Sequence, residues 1–362
     1  MTRCRRRPAC GVPHALPCAF PPFRSIAVAA ALVLAFPYRD AGAQQAAPTV
    51  ELYAVDGAHS LFDFTIRHLG FSRVRASFDG YSGHILLDGA DTTRSVLAFD
   101  LPVARMSTGN EARDRHLMTA DFFDAAKYPS ITFASTRIER APGGYVAIGP
   151  LTIHGVTREQ RIPVVIAVGP EADQWGNRRF VAAGSFAVNR RDFDVVGPAF
   201  WARTIGDSAQ VEFEIAGRQL NYDAVAWSTR RPSAGKLIVD GVAADGLEAG
   251  LARVRALWRN GRDADSTYDF SAQEFATAAG RLAGAGKFGE AAAVLEFALA
   301  LPGANLPPDT RTVFVSRIGY YRLRLGDRDG ARRAVDGALA SGNPDTATLV
   351  LARYLGVREA TR

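Results

Sequence analysis

The chain has 362 residues, of which 48% are hydrophobic and 22% charged, with a formal net charge of +6. This composition is that of a globular protein, and the length is enough for more than one domain. Residues 1–43 hold six arginines against one aspartate, five of the six net positive charges. The remainder is close to neutral, which excludes nucleic-acid binding driven by overall charge.

The first 43 residues have the layout of a signal peptide. Arg24 precedes an apolar run over residues 26–36, and Ala41-Gly-Ala43 is a small-residue cleavage site. The run is shorter than the roughly 20 residues of a membrane span, so we expect no stable span after cleavage. All three cysteines lie in this leader: Cys4, Cys10 and Cys18. We therefore expect a periplasmic or secreted mature chain without disulfides, thiol nucleophiles or cysteine metal ligands.

Residues 50–217 carry the alternating pattern of β-strands. Between residues 61 and 67, three apolar side chains alternate with polar ones: Phe62, Phe64 and Ile66. A second alternating segment follows directly after His68-Leu-Gly70, which predicts a hairpin. Further strands are predicted at residues 95–101, 131–135, 160–168, 179–188 and 210–215. Many short strands with regular turns predict an antiparallel sandwich or barrel.

One helix interrupts the strands. Thr108-Gly-Asn-Glu111 has the spacing of a capping box, and residues 112–118 follow it. We expect this short helix to place Leu117, Met118, Phe122 and Phe123 against one end of the β-structure.

The pattern changes after residue 217. Residues 218–240 include Pro232, Ser233 and Gly235, the composition of a flexible linker. Residues 241–362 then show helical periodicity, with Ser271–Glu274 as a second capping box. Two alanine-rich helices, each after a Gly-containing turn, resemble tetratricopeptide helical hairpins. A generic alanine-rich bundle of helical hairpins is the alternative, and either would serve as a partner-binding platform.

Seven motifs in order over residues 50–217 resemble the YceI-like, or polyisoprenoid-binding, family. They are Asp56–Ser60, His68–Gly70, Asn110–Leu117, Asp121–Asp124, Lys127–Phe133, Leu151–Thr157 and Asn189–Phe193. The resemblance implies a lipocalin-like antiparallel barrel over residues 44–217. It also implies a long apolar interior for an isoprenoid or similar amphiphile, and it makes a dimer one option for the oligomeric state.

The inward side chains of such a barrel are the candidate ligand contacts. A barrel of about eight strands leaves an interior that side chains or one small ligand can fill. For each side chain, core packing remains an alternative to ligand contact. The candidates are Phe62, Phe64, Ile66, Phe78, Leu97, Phe99 and Phe133.

A second set of polar residues could hold a headgroup or stabilise turns and strand ends. These residues are His59, His68, Arg113, His116, His154, Arg190 and Asp192. The histidines lack the spacing of metal ligands, so we expect no metal site, and no cofactor motif is present. A capping ion pair at the short helix is the structural alternative for Arg113.

These features predict an exported carrier or exchanger that holds a polyisoprenoid, an isoprenoid quinone or a fatty-acid derivative. The helical region would dock a protein partner. One alternative is a non-catalytic envelope adaptor whose helices bind protein and whose barrel is a scaffold. Another is a small hydrolase built on Asp56, His59 and Ser60, although neighbouring strand residues point to opposite faces. We expect no enzymatic activity.

Overall fold

A computed structural model describes residues 49–174, 176–220, 227, 230–259, 262–263, 267–304 and 306–358. The predicted signal peptide and the three cysteines lie outside these ranges. No helix within them is both long enough and apolar enough to cross a membrane.

Twelve strands between residues 50 and 219 form one antiparallel sheet. The first six are β1 (Val50–Val55), β2 (Leu61–His68), β3 (Ser72–Phe78), β4 (Ser82–Asp88), β5 (Val96–Pro102) and β6 (Met106–Ser107). The other six are β7 (Ser130–Ala134), β8 (Arg137–Ala141), β9 (Gly144–Ile153), β10 (Val156–Ala172), β11 (Arg178–Asn189) and β12 (Ile205–Gln219).

The sheet closes into a barrel because the last strand pairs with the first two. Strand β12 pairs with β1 near its C-terminal end and with β2 along the rest of its length. Strands β1 and β2 pair with β4 and β3, so residues 50–88 form one long bent hairpin. Counting bent pairs such as β1/β2 and β7/β8 as single strands gives eight strands. The predicted antiparallel barrel is confirmed.

Aromatic rings cover glycines on the inner surface of the barrel. Gly83 pairs with Phe99, and a β-carbon on this glycine would lie 2.5 Å from the Phe99 ring. Gly217 pairs with Phe180, whose ring would lie 2.2 Å from such an atom. Only glycine therefore allows these rings to lie flat on the facing strand.

The predicted short helix is present, but its cap is not the predicted one. Helix α1 (Glu111–Leu117) begins after Asn110, whose side chain accepts a hydrogen bond from the Arg113 amide at 3.0 Å. Thr108 instead accepts from Arg113 Nε at 2.7 Å and donates to Asp114. The capping box was wrong because Asn110 stands closer to the first helical turn and is at least as good a cap.

Seven further helices occupy the C-terminal part of the described chain. They are α2 (Ala234–Ala244), α3 (Leu247–Leu257), α4 (Ala272–Gly284), α5 (Phe288–Ala300), α6 (Pro308–Arg324), α7 (Arg328–Leu339) and α8 (Thr346–Leu355). A two-residue ribbon, Trp258–Arg259 with Arg262–Asp263, follows α3. Helices α2/α3, α4/α5 and α6/α7 pack as consecutive pairs. The helical region is therefore confirmed, while its tetratricopeptide character stays a prediction.

The boundaries between the two regions differ from the predicted linker over residues 218–240. Strand β12 continues to Gln219, and α2 begins at Ala234. Ser233, read as a linker residue, is the N-cap of α2 and accepts from the Lys236 amide at 2.9 Å. Serine is common both in linkers and at helix N-caps, which explains why this residue was assigned to the linker.

The helical region lies directly on the barrel. Helix α8 packs on β4 and β5. Arg353 of this helix donates to the backbone oxygens of Ala134 and Ser135 at 2.5 and 3.0 Å. Tyr354 donates to Asp88 Oδ2 at 3.0 Å. The predicted freely tethered helical region is thus not what the described residues show.

Candidate functional site

An apolar cavity of about 250 Å³ lies inside the barrel. At one end it is bounded by residues of α1 and of the segment after it, including Leu117 and Phe122. At the other end it is bounded by Leu87, Thr92 and Pro170. The volume is slightly below the roughly 300–1,000 Å³ usual for small-molecule pockets. The interior is therefore partly filled by side chains and partly open.

All seven residues predicted to face a ligand line this cavity: Phe62, Phe64, Ile66, Phe78, Leu97, Phe99 and Phe133. They also pack on one another. The Phe62 and Phe213 rings are stacked with centroids 6.0 Å apart, and Phe64 lies 6.1 Å from Phe78. The same side chains thus build the core and the wall of the cavity. Their contact with a ligand stays a prediction.

Sequence analysis missed the part of the wall contributed by the last two strands. Phe180 and Phe186 of β11, and Phe213 of β12, line the cavity as well. Both strands had been predicted, but their inward side chains had not been named. The alternation of residues 179–188 and 210–215 was sufficient to find them.

Basic side chains, three of them arginines, are concentrated at the α1 end of the cavity. Arg67, His68, Arg113 and Arg190 line this end. Arg113 is held by Thr108, since its Nε and Nη2 donate to the hydroxyl and carbonyl oxygens of that residue at 2.7 and 3.0 Å. The barrel-capping ion pair expected as the alternative for Arg113 is not found among the described residues; the ion pair on α1 joins the exposed side chains of Arg115 and Glu111 at 2.5 Å. The α1 end is therefore suited to an anionic or strongly polar headgroup.

Arg190 binds several backbone carbonyl oxygens at this end of the barrel. Its guanidinium donates to the backbone oxygens of Val195 and Val196 at 2.8 and 2.7 Å. It also donates to Ile205 and Gly206 at 3.0 and 2.9 Å. Burial lowers the pKa of Arg190, and the nearby Arg191 acts in the same direction. With several donors used by backbone carbonyls, Arg190 is foremost a positioning residue.

The other predicted polar residues do not line the cavity. His59 Nδ1 contacts Asp56 at 3.0 Å, and His116 Nε2 contacts Asp121 at 2.8 Å. His154 has a positive φ of 50° and its ring lies 4.7 Å from that of Tyr128.

Asp192 also lies away from the cavity. Its side chain is exposed, and its backbone oxygen accepts from Arg158 at 3.2 Å. All four residues (His59, His116, His154 and Asp192) belong to turns or short helical segments and are not brought together at one site.

The Asp56–His59–Ser60 arrangement lacks the link that a hydrolase needs. Ser60 Oγ donates to the Asp56 backbone oxygen at 2.8 Å and accepts from the Ala216 amide at 2.9 Å. The serine is thus bound to backbone groups, while His59 contacts the Asp56 carboxylate. Elsewhere in the described ranges, no group of three or more metal-ligating side chains is close enough to hold an ion.

Comparison with known proteins places the barrel among related sequences. A family model for the YceI-like domain matches residues 53–217. A UPF0312 protein of Pseudomonas savastanoi pv. phaseolicola is 35% identical over 183 residues, covering 49% of this chain and 91% of the relative. A UPF0312 protein of Vibrio cholerae is 31% identical, covering 45% of this chain and 84% of the relative.

Two solved structures are also similar to the barrel. Burkholderia cenocepacia BcnA has 25% identity and a TM-score of 0.41, covering 45% of this chain and 98% of BcnA. A polyisoprenoid binding domain from Saccharophagus degradans has 15% identity and a TM-score of 0.34, covering 46% of this chain and 98% of that domain. With the sequence relatives matched over most of their length, the predicted resemblance is confirmed, and the chain belongs to the YceI-like family.

Proposed function

We propose that this protein is an exported, non-enzymatic carrier that holds a long-chain amphiphile, such as a polyisoprenoid, in its barrel. The observation that carries the proposal is the apolar cavity of about 250 Å³ with cations at one end. An apolar wall suits a hydrocarbon tail, and Arg67 with Arg113 suits an anionic headgroup. The signal-peptide pattern of residues 1–43 supports export to the periplasm or the medium.

The energetics favour exchange over tight storage. Moving a methylene from water into an apolar cavity contributes about 0.8 kcal/mol. The tail of a membrane lipid is already out of water in the bilayer, so transfer into the barrel is close to balanced. Headgroup contacts then decide where the lipid resides. This balance supports a carrier that loads and unloads at a membrane.

The helical region supports a further role in docking a protein partner. Its seven helices lie beyond residues 53–217, the part that matches the YceI-like domain. Among the described residues α8 packs on β4 and β5, and the other helices pack mainly on one another. The adaptor alternative assigns the whole function to these helices and none to the cavity.

The test is native mass spectrometry of the protein purified from a bacterial envelope. We expect a co-purifying prenyl lipid, quinone or fatty-acid derivative. A cavity-filling variant, Ala209→Phe, should lose it, because Ala209 lines the cavity near the cationic end.

The matched control is Gln210→Phe. Gln210 is the next residue on β12, is exposed and points away from the cavity, so this variant should keep the ligand. Protein that is ligand-free as purified, or equal occupancy in the two variants, would contradict the carrier and favour the adaptor.

A further inference from the structure

Exposed apolar side chains are clustered at the cationic end of the barrel. Phe71 is 92% exposed, Phe200 75% and Leu69 55%. The other large exposed apolar side chains of the described chain are separated from these along the sequence: Leu61, Val165, Val168 and Leu325. An exposed apolar cluster indicates an interaction surface, whereas isolated apolar residues do not.

Two segments far apart in sequence build this surface. The turn between β2 and β3 carries Leu69 and Phe71, and the loop before β12 carries Phe200. The Leu69 amide donates to the Thr204 backbone oxygen at 2.6 Å, which fastens the turn to the loop. The ring of Trp201 lies 5.2 Å from Phe200 and 6.1 Å from His68. We call residues 67–73 and 200–204 the barrel tip.

The backbone of the tip holds Leu69 outward under strain. Leu69 has a φ of 54°, in the left-handed region that a leucine rarely adopts. The side chain is nevertheless more than half exposed and forms no part of the buried core. The conformation is that of the two-residue hairpin turn between His68 and Phe71, whose central residues Leu69 and Gly70 both have positive φ, and it directs the Leu69 side chain into solvent.

The charge of the tip is positive throughout. Arg67 and Arg73 lie directly opposite each other on β2 and β3, an arrangement of like charges that destabilises a strand pair. Arg67, Arg73 and Arg203 form no ion pair with any described residue. Residues 64–78 and 195–206 contain no aspartate or glutamate. The charged side chains of the tip itself, residues 67–73 and 200–204, are thus arginines, while Asp207 just outside it pairs with Arg190 and Arg191 at 3.2 and 2.6 Å.

We propose that the barrel tip docks on the surface of an anionic lipid bilayer. Phe71, Phe200 and Leu69 insert at the level of the headgroups, and the three arginines contact lipid phosphates. Apolar burial combined with attraction to anionic lipid is the usual physical basis of reversible membrane binding. Arg67 and His68 also line the cavity, so docking brings the cavity end to the bilayer. Docking does not depend on which ligand, if any, the cavity holds.

The test is sedimentation of the mature chain, residues 44–362, with vesicles of phosphatidylcholine alone or mixed with phosphatidylglycerol. Residues 1–43 are omitted because the apolar run of the predicted signal peptide would itself bind vesicles. We expect binding to the mixed vesicles that weakens with salt. Replacing Phe71 and Phe200 by serine should weaken it about tenfold or more, since each exposed aromatic loses its burial in lipid.

A second variant tests the cations separately. Arg73→Gln with Arg203→Gln, two tip arginines that do not line the cavity, should reduce binding to the mixed vesicles and weaken its dependence on salt. The matched controls are Leu325→Ser, a half-exposed leucine in the helical region, and Arg333→Gln, an exposed arginine on α7. Both controls should bind like the parent chain.

Thermal melts establish that each variant folds. If the variant with serine at positions 71 and 200 does not fold, the arginine-to-glutamine variant still tests the proposal. Equal loss in the controls, unchanged binding in both tip variants, or equal binding to neutral vesicles would overturn the proposal. Loss of vesicle binding with the cavity ligand retained would leave the carrier function intact, so the two proposals fail separately.

Discussion

Two outer faces of the same barrel have opposite surroundings. On β1, β4 and β5 the outward side chains are buried, among them Leu52, Leu86 and Ala98 at 0–1% exposed. They belong to one core with α8 and the other helices. On β10 the outward side chains face solvent: Arg161 ion-pairs with Glu139 at 2.8 Å, and Val165 is 48% exposed.

The comparison shows that an apolar run does not by itself identify the covered strand. Continuous apolar runs are typical of sheets covered on both sides, and residues 96–99 on β5, Val-Leu-Ala-Phe, follow that rule. Residues 162–168 on β10 read Ile-Pro-Val-Val-Ile-Ala-Val, yet Val165 and Val168 are 48% and 40% exposed. What distinguishes the two faces is the helical region that shares a core with β1, β4 and β5. The helical region is thus part of the barrel's own stability, and it cannot be removed without exposing an apolar face.

The largest expected effect comes from placing a charge under the helices. Leu52→Asp should lower the free energy of unfolding by about 4 kcal/mol or more, because a buried carboxylate there has no partner. Val165→Asp, on the open face, should cost about 1 kcal/mol or less. Chemical denaturation measures the free energy of unfolding of both variants. Equal decreases in the two would mean that the helices do not cover β1.

Acidic pH should lower the free energy of unfolding through His84, which lies on the face covered by the helices. This residue lies beneath α8, with its Nδ1 2.7 Å from Thr346 Oγ1. Burial lowers the pKa of His84 from 6.5 to about 4; the Arg317 charge acts in the same direction and Asp345 opposes it.

The sign follows from the protons bound in each state. The unfolded chain binds a proton on this histidine below pH 6.5, while the folded chain binds it only near pH 4. Stability is therefore full above pH 6.5 and falls between these values, by at most about 3 kcal/mol. Unfolding measured across this range should show the loss in the parent and in His59→Gln, and a smaller loss in His84→Gln. The same slope in all three would contradict the assignment.

Replacing Arg353 should lower the free energy of unfolding more than replacing an arginine on the open face. Arg353→Leu leaves the carbonyl oxygens of Ala134 and Ser135 without this donor at a covered position, so we expect a loss of about 2 kcal/mol. Arg161→Leu removes an exposed ion pair and should cost about 0–1 kcal/mol. Urea denaturation distinguishes the two, and a larger loss for Arg161→Leu would contradict the comparison.

Among the changes on the covered face, the smallest effect is expected from Tyr354→Phe. The variant removes one hydroxyl that donates to Asp88 at 3.0 Å and keeps the ring in place. A single hydrogen bond of this kind contributes about 1 kcal/mol. A shift of a few degrees in the melting temperature is the expected readout, and no shift would show that water replaces the tyrosine.

Much of the candidate site could be predicted from local pattern. The alternation at Phe62, Phe64 and Ile66 identified side chains that line the cavity, because period-two spacing fixes which residues share a strand face. Helix α1 was predicted from a capping-box spacing, although its N-cap is Asn110, and the helices after residue 240 were predicted from apolar periodicity. His59 and His154 were grouped with Arg113 and Arg190 by residue type alone, and the fold separates them.

The sequence by itself determined seven of the twelve strands, several of their inward side chains, the helical region and the family, because these depend on patterns within short segments. It did not predict β1, β4, β6, β8 or β9. Tertiary structure alone decided that β12 closes the barrel on β1 and β2, that α8 covers β4 and β5, and that Phe71 and Phe200 share one tip. Each of these joins segments more than a hundred residues apart. Such contacts depend on which surfaces meet, and the periodicity of one segment does not identify the segment that it packs against.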